Sequence, residues 1–374
     1  MIRISFQLLF LLLLPVMTSA QSVTISPTSE TADNGSSVLS LSDGAKVSID
    51  SRTITFLDSG SSGQFSALGF SPDRSVVSLL NNVQGKARVT LLTASGDTLN
   101  RYSSISLSSS DPSLGIYPTN GGHLLLRNNI MNFTFHDESG NIGTNISNGS
   151  NSEQGETISQ LVMNPTQETI LLYTSKIKRE GQVGSKIRLV DADRKLQYLY
   201  QSDDRYIKDL DLSGDGTMVS FVTAASGTSD RVVVMDKYGN QINSISAENQ
   251  LQGATLSADN SHLTLFSENR IRVYNVLTGE NMGSTSLQEP VFMAEYVPED
   301  QMLLIVSGNF STSSSKLSNI EVKAVDLGRR DITSTSYSGR LTFHESLRRG
   351  IQRLSSNNYR LTGANKELNI EVSF

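Results

Sequence analysis

The sequence of 374 residues contains neither cysteine nor tryptophan. Without a thiol there is no disulfide, no thiolate nucleophile, no zinc–thiolate or iron–sulfur site, and no lipid anchor attached through an N-terminal cysteine. Aromatic residues make up only 6% of the chain. That is too few for the aromatic girdles of an outer-membrane barrel, so the alternating end from Leu368 to Phe374 is not read as a barrel strand. Charge is also sparse, with 18% Asp, Glu, Lys and Arg and a net charge of −6. Nothing in that balance resembles the basic footprint of a nucleic-acid binder. The apolar run from Phe6 to Leu14 is too short to span a bilayer, and no later stretch reaches the length required. Catalytic signatures are missing too. The four histidines, His123, His136, His262 and His344, have no metal-ligand spacing. No G-x-S-x-G elbow, Gly-rich phosphate loop or D-x-D-x-D-G calcium loop occurs.

The first 20 residues read as an address. Arg3 precedes the Phe6–Leu14 run, Pro15 breaks it, and Thr18-Ser19-Ala20 offers small residues for cleavage before Gln21. The expected mature protein is therefore exported, to a periplasm or the cell exterior, and does not span a membrane. Loss of Arg3 takes the net charge from −6 to −7. Export without cysteine suits a bacterial envelope better than a disulfide-forming secretory pathway.

Where charge is low, Ser, Thr, Asn and Gly take its place. These residues are poor helix formers and good turn formers, and they point to sheets with many turns. One hairpin is written repeatedly: an alternating strand, a polar turn, a second strand. "ALGFSPDRSVVSLL" begins at Ala67, "LDLSGDGTMVSFV" at Leu210 and "GATLSADNSHLTLF" at Gly253; the final copy, "LTFHESLRRGIQRL", begins at Leu341. One turn residue from each copy gives Asp73, Asn120, Thr166, Asp215, Asp259, Asp300 and Ser346, spaced by 47, 46, 49, 44, 41 and 46. Most units continue with a second strand pair around a glycine, as in "RVVVMDKYGNQINSI" from Arg231. A period of about 40–50 residues with four strands per unit predicts an all-β propeller of four-stranded antiparallel blades. One small sheet cannot bury both faces alone, and circular stacking solves that problem.

The expected organisation is a leader at 1–20, N-terminal strands at 21–64, and blades at about 65–112, 113–158, 159–205, 206–250, 251–289, 290–338 and 339–374. Seven blades are expected, with 21–64 helping to close the ring; eight blades, with 21–64 as a compact extra one, is the alternative.

"GFSPDRSVVSLL" (Gly69 to Leu80) and "LDLSGDGTMVSFV" resemble exported bacterial β-propellers with WD-like, TolB-type or YVTN repeats. The resemblance implies a fold. The Trp-Asp dipeptide of true WD repeats does not occur.

Two groups of residues are candidate sites. Asp209 and Asp211 alternate along one strand, so both point to one side. In a propeller channel such carboxylates can gather calcium or perform acid–base work. The plainer reading is turn-associated Asp. A basic group, Lys176, Lys178, Arg179 and Lys186, lies in and beside a long loop, and Arg348 and Arg349 form another. Either could meet an acidic partner or a polysaccharide, or be solvated loop charge. The histidines read as polar surface or strand residues. The expected function is a non-catalytic scaffold that binds an envelope or extracellular protein or glycan, with no cofactor. The alternative is a propeller hydrolase or lactonase using channel carboxylates and a divalent cation such as calcium. Convergence of Asp209 and Asp211 with further carboxylates would favour the alternative.

Overall fold

The computed structural model describes residues 22–27, 37–40, 46–50, 53–58, 64–71, 75–83, 86–93, 97–105, 115–129, 132–136, 142–147, 156–164, 168–177, 183–191, 196–247, 250–311, 316–328, 332–342, 351–355, 358–362 and 367–373. The expected leader, the turn positions Asp73, Thr166 and Ser346, and His344 lie outside them. The chain folds as a β-propeller: successive four-residue-to-eleven-residue strands pair in order into small antiparallel sheets. Among the described residues the helical element is a single 3-10 turn, Pro298–Asp300.

Seven sheets have four strands. Sheet 1 runs Gln64–Phe70, Val76–Val83, Lys86–Thr93 and Thr98–Ile105. Sheet 2 runs Gly115–Pro118, Leu124–Asn129, Asn132–His136 and Ile142–Ser147. Sheet 3 runs Glu156–Met163, Ile170–Ile177, Val183–Val190 and Leu196–Ser202. Sheet 4 runs Tyr206–Leu212, Met218–Ala224, Arg231–Asp236 and Gln241–Ser246. Sheet 5 runs Gly253–Leu256, His262–Phe266, Arg270–Asn275 and Asn281–Ser286. Sheet 6 runs Val291–Val297, Met302–Ser311, Lys316–Asp326 and Ile332–Thr342. Sheet 7 comprises Ile351–Ser355, Asn358–Thr362 and Glu367–Ser373, and its fourth strand is Ser22–Pro27, paired as Val23 with Val372 and Ile25 with Ile370. A three-stranded sheet is formed by Ser37–Ser40, Lys46–Asp50 and Thr53–Asp58.

One expected hairpin falls in a different register. Leu341 pairs with Leu317 and Thr342 with Lys316, so both end the outer strand of sheet 6 rather than open the next unit. The alternating "TSTSYSGRLT" continues pairing because its partner strand Lys316–Asp326 is eleven residues long.

The core lies between sheets. Val219 and Phe221 of sheet 4 pack with Leu171, Ile187 and Leu189 of sheet 3. Val222 and Val234, on the other side of sheet 4, pack with Ala254, Leu263 and Leu265 of sheet 5. The second strand of sheet 4 is thus buried on both faces, which is why "MVSFVTA" reads as a nearly continuous apolar run. Its outer strand, "QINSIS", is mostly exposed or half-buried. Apolar clusters also join sheets 2 and 3, 5 and 6, and 6 and 7.

The turn chemistry explains the repeat. In sheet 4, Ser213 Oγ accepts from Met218 N at 2.8 Å and donates to Asp215 Oδ1 at 2.7 Å, and Asp215 Oδ1 accepts from Thr217 N at 3.0 Å. In sheet 5, Ser257, Asp259 and Ser261 repeat the arrangement, with Ser257 Oγ accepting from His262 N at 2.9 Å. Ser71, Thr119 and Asn164 each supply the equivalent side-chain acceptor in sheets 1, 2 and 3. A short polar side chain at the end of the inner strand therefore fixes the hairpin by satisfying a backbone N–H across the turn. Gly216 takes φ +71°, where glycine avoids the Cβ penalty; Asn260, at φ 63°, is the residue type that next best tolerates it.

Candidate functional site: two charged faces and an apolar rim

Asp209 and Asp211 sit on the inner strand of sheet 4, both buried, with Asp209 only 3% exposed. They point to one side, as their alternation predicts, and that side is sheet 5. Asp209 Oδ2 accepts from Ala254 N at 3.0 Å and Asp211 Oδ2 from Leu256 N at 2.7 Å. An inner strand has one edge that no strand of its own sheet can satisfy. These carboxylates supply the missing acceptors for sheet 5 and tie the two sheets edge to edge. Gly253 makes room for this: a Cβ there would overlap Asp209 Oδ2 and the Phe266 ring. Asp230 does similar work at the opposite end, accepting from Leu251 N at 2.7 Å and pairing with Lys208 Nζ at 2.7 Å. Among the described residues no group of three or more His, Asp or Glu side chains gathers where it could hold a metal. The convergence that would favour channel-carboxylate chemistry is not found there.

The histidines occupy three different settings. His136 ends a strand of sheet 2, is buried, and meets Tyr102 of sheet 1 edge-on with ring centroids 5.3 Å apart. His123 is half-buried beside the first turn of sheet 2. His262 is half-buried and lies 4.7 Å from the Tyr296 ring of sheet 6. Near it, Ser261 Oγ is 2.6 Å from both Asp259 oxygens and 2.5 Å from His262 Nδ1. The serine hydroxyl donates to the carboxylate, so it accepts from the imidazole. This is the reverse of a catalytic relay, in which the carboxylate stands behind the histidine and the histidine accepts from the serine. Burial pushes the Asp259 carboxyl up, but hydrogen bonds from Ser261 and Ser257 outweigh it and hold the group below its usual range. Burial lowers His262, partly offset by Asp259. Burial, then the charges of Asp259 and Asp326, raise Tyr296.

Because neighbouring strands are antiparallel, first-to-second and third-to-fourth turns emerge on one side of every sheet. Second-to-third turns and the links between sheets emerge on the other. Among the described residues the first side carries mostly carboxylates. Its described first-to-second turns carry Glu168, Asp215, Asp259, Glu299 and Asp300. Beside its third-to-fourth turns the described residues include Asp97, Asp191, Asp236, Glu280 and Asp326 and the cation Lys237, while Arg194, Lys195, Arg329 and Arg330, in the same stretches of sequence, lie outside the described residues. None of these ten carboxylates is buried.

Of the basic candidates, Lys176 and Lys186 belong to the second side. Lys186 is half-buried on the third strand of sheet 3, paired with Thr174, and Lys176 lies two residues along from Thr174 in the same register. The structure thus brings Lys176 and Lys186 to neighbouring register positions. Lys178, Arg179, Arg348 and Arg349 lie outside the described residues. On the same side, Arg205 donates through Nε to Thr223 Oγ1 at 3.0 Å and through a terminal nitrogen to Thr223 O at 3.1 Å.

A feature that sequence reasoning missed is an apolar rim. Of the eight large apolar side chains exposed among the described residues, six sit in a third-to-fourth turn or within the first three residues of an outer strand: Leu99, Tyr198, Tyr238, Leu277, Met282 and Ile332. The third-to-fourth turns of sheets 4, 5 and 6 each rest on the outer strand of the preceding sheet. The Cβ position of Gly239 lies 3.7 Å from Leu199, that of Gly279 beside Asn243, and that of Gly283 3.9 Å from Leu327. Asn243 Nδ2 also donates to Val276 O at 2.9 Å. The rim residues of sheets 3 to 6 therefore follow one another around the outside of the acidic side.

No helix among the described residues is long and apolar enough to cross a membrane. No protein-family model matches the chain, and no curated protein does. Solved structures do, with 1160 matching chains. One is a chain of the complex of KlAtg21 with the coiled-coil of AgAtg16, at 14% identity and a TM-score of 0.50, the match covering 83% of this chain and 95% of that one. At that identity the likeness is one of fold, and it agrees with the propeller built from the strand pairing above.

Proposed function

We propose that the chain is an exported β-propeller that works as a non-catalytic scaffold, its stacked sheets holding turns in place for a partner protein of the cell envelope or exterior. The observation that carries this reading is the use made of the chemically capable groups. Asp209, Asp211 and Asp230 accept from the backbone of the following sheet or the link to it, and Ser261 is held by Asp259. These groups build the frame, while large apolar side chains stand exposed on one rim. Exposed apolar residues gathered in one zone mark interaction surfaces more often than they mark chance. KlAtg21, a likeness of fold, is solved in complex with a coiled coil.

Two measurements test the reading. Fused to a reporter phosphatase that is active only outside the cytoplasm, residues 1–30 should confer activity, and removal of the Phe6–Leu14 run should abolish it. Cross-linking of the tagged chain in envelope fractions should enrich a protein over an unrelated propeller. Retention of a polysaccharide on a glycan array, with no protein cross-linked, would replace the protein partner by a glycan. Hydrolysis of a lactone or ester panel by the purified chain would overturn the scaffold reading.

A further inference from the structure

We propose that Asn120-Gly121 is a site of spontaneous deamidation, at which the chain converts its own Asn120 to aspartate or isoaspartate in the turn between the first two strands of sheet 2. The site stands whether or not the chain is a scaffold.

The reaction needs a backbone nitrogen that can reach the side-chain carbonyl of the preceding asparagine. A Cβ on the following residue hinders that approach, and glycine has none. Asn-Gly occurs at 34–35, 120–121 and 148–149, and the second of these lies among the described residues. Asn120 is half-buried and Gly121 is exposed, so water reaches the pair. Thr119 holds the turn around them. Its N–H donates to His123 O at 2.9 Å, its carbonyl accepts from Gly122 N at 3.1 Å, and its Oγ1 accepts from His123 N at 3.0 Å. The Gly121 N–H takes no part: among the described residues it has no acceptor. The attacking nitrogen is thus unbound inside a turn that is fixed on either side of it.

The equivalent turns of sheets 4 and 5 are protected. Gly216 N donates to Ser213 O at 2.9 Å. Burial pushes the Asp215 carboxyl up, but hydrogen bonds from Ser213, Thr217 and Asn260 outweigh it and hold the group below its usual range. Asp215 therefore stays an anion, which resists attack. After Asn260 comes Ser261, whose N–H donates to Asp259 Oδ1 at 3.0 Å. After Asn275 comes Val276, whose N–H donates to Ser261 O at 2.9 Å.

Water is the co-reactant. Gly121 N attacks Asn120 Cγ and gives up its proton, the Cγ–Nδ2 bond breaks, and Nδ2 leaves as ammonia. Water then opens the cyclic imide. Cleavage between the nitrogen and Cγ gives aspartate. Cleavage between the nitrogen and the main-chain carbonyl carbon gives isoaspartate, which puts an extra carbon into the loop that Thr119 and His123 close. Either product adds a negative charge. It arises one residue from Gly121, whose Cβ position lies 2.6 Å from Glu168 Oε1 of sheet 3. The contact between the turns of sheets 2 and 3 thus gains a second carboxylate, and an aged population separates from a fresh one by ion exchange.

The test ages the full chain at physiological temperature and mildly alkaline pH, then maps its peptides by mass spectrometry. The peptide holding Asn120 should gain about 1 Da, an amide exchanged for a carboxylate, and become a substrate for a protein isoaspartyl methyltransferase. Asn120 should convert before Asn240, Asn243, Asn260 and Asn275. Its rate in the folded chain should lie within about tenfold of its rate in the urea-unfolded chain, because the turn need not open first. Gly121→Ala should slow conversion severalfold. The added methyl clashes only with the end of the Glu168 side chain, which can turn aside, and an unchanged melting curve would show that the fold is kept. Survival of Asn120 while any of the other four converts, a folded-state rate below that tenfold limit, or conversion of the folded Gly121→Ala variant at the wild-type rate would overturn the proposal.

Discussion

Replacing Asp209 and Asp211 separates two roles a buried carboxylate can play. In the structure each offers one oxygen to a backbone N–H of the next sheet, at 3.0 and 2.7 Å. Asparagine keeps an acceptor of the same shape. Asp→Asn at either position should therefore cost about 1 kcal/mol, the difference between a charged and a neutral acceptor. Alanine removes the acceptor, leaves a buried N–H of Ala254 or Leu256 without it, and empties the volume beside Gly253. That should cost about 2–3 kcal/mol at each site. The two sites share one strand and one neighbour, so the double alanine variant should depart from the sum of the singles. Urea unfolding followed by far-UV circular dichroism reads these differences as shifts in midpoint at constant slope. Calcium added at a millimolar level should leave every midpoint unchanged. If both Asn variants are as damaged as the Ala variants, and calcium raises only the wild-type midpoint, the carboxylates hold a cation and the clamp described here is wrong.

Gly253→Ala should destabilise by about 1–3 kcal/mol, because the added methyl overlaps Asp209 and Phe266; a neutral result in the same urea assay would refute the packing. Gly216→Ala should cost about 1–2 kcal/mol, from positive φ and overlap with Thr169, whereas Asn260→Gly should be nearly neutral by the same measurement. Phe221→Ala, at the fully buried junction of sheets 3 and 4, should cost about 3–5 kcal/mol. Asp215 and Asp259 are held below their usual value of 3.8, where hydrogen bonds from their turn serines outweigh burial, so their contribution is fully present above that value and is lost as pH falls through their lower folded-state values. His262 is lowered from 6.5 by burial, so its contribution is present above 6.5 and lost as pH falls below it; a pH series of urea midpoints should show both windows, and His262→Gln should remove only the upper one.

The strands and their hairpins were legible because their causes are local. Period-two alternation and a Ser or Asn acceptor a few residues before the N–H it serves are both visible within a short window, as at Ser213 and Met218. The roles of Asp209 and Asp211 were not, because their partners lie 45 residues downstream. The clue existed: 45 falls within the spread of the repeat, so aligning successive units would have set Asp209 beside Ala254. The register at Leu341 was misread because alternation continues across two units, and only the length of the facing strand shows where the first ends. Tyr238 and Leu277 look like ordinary turn residues in the sequence. Their shared exposure depends on how each turn lies over the neighbouring sheet, which no single unit encodes.

The pairing of Ser22–Pro27 with Glu367–Ser373 fixes an order of events. A ribosome delivers the first of these segments long before the second. The strand Ser22–Pro27 thus has no seat until Glu367–Ser373 has been made, and sheet 7 cannot finish forming before then. Contacts between such distant segments are also the slowest to find by diffusion. Sheet 7 is therefore a clasp that stays open until the strands of the other sheets have been made, and a chain halted before Glu367 leaves it open.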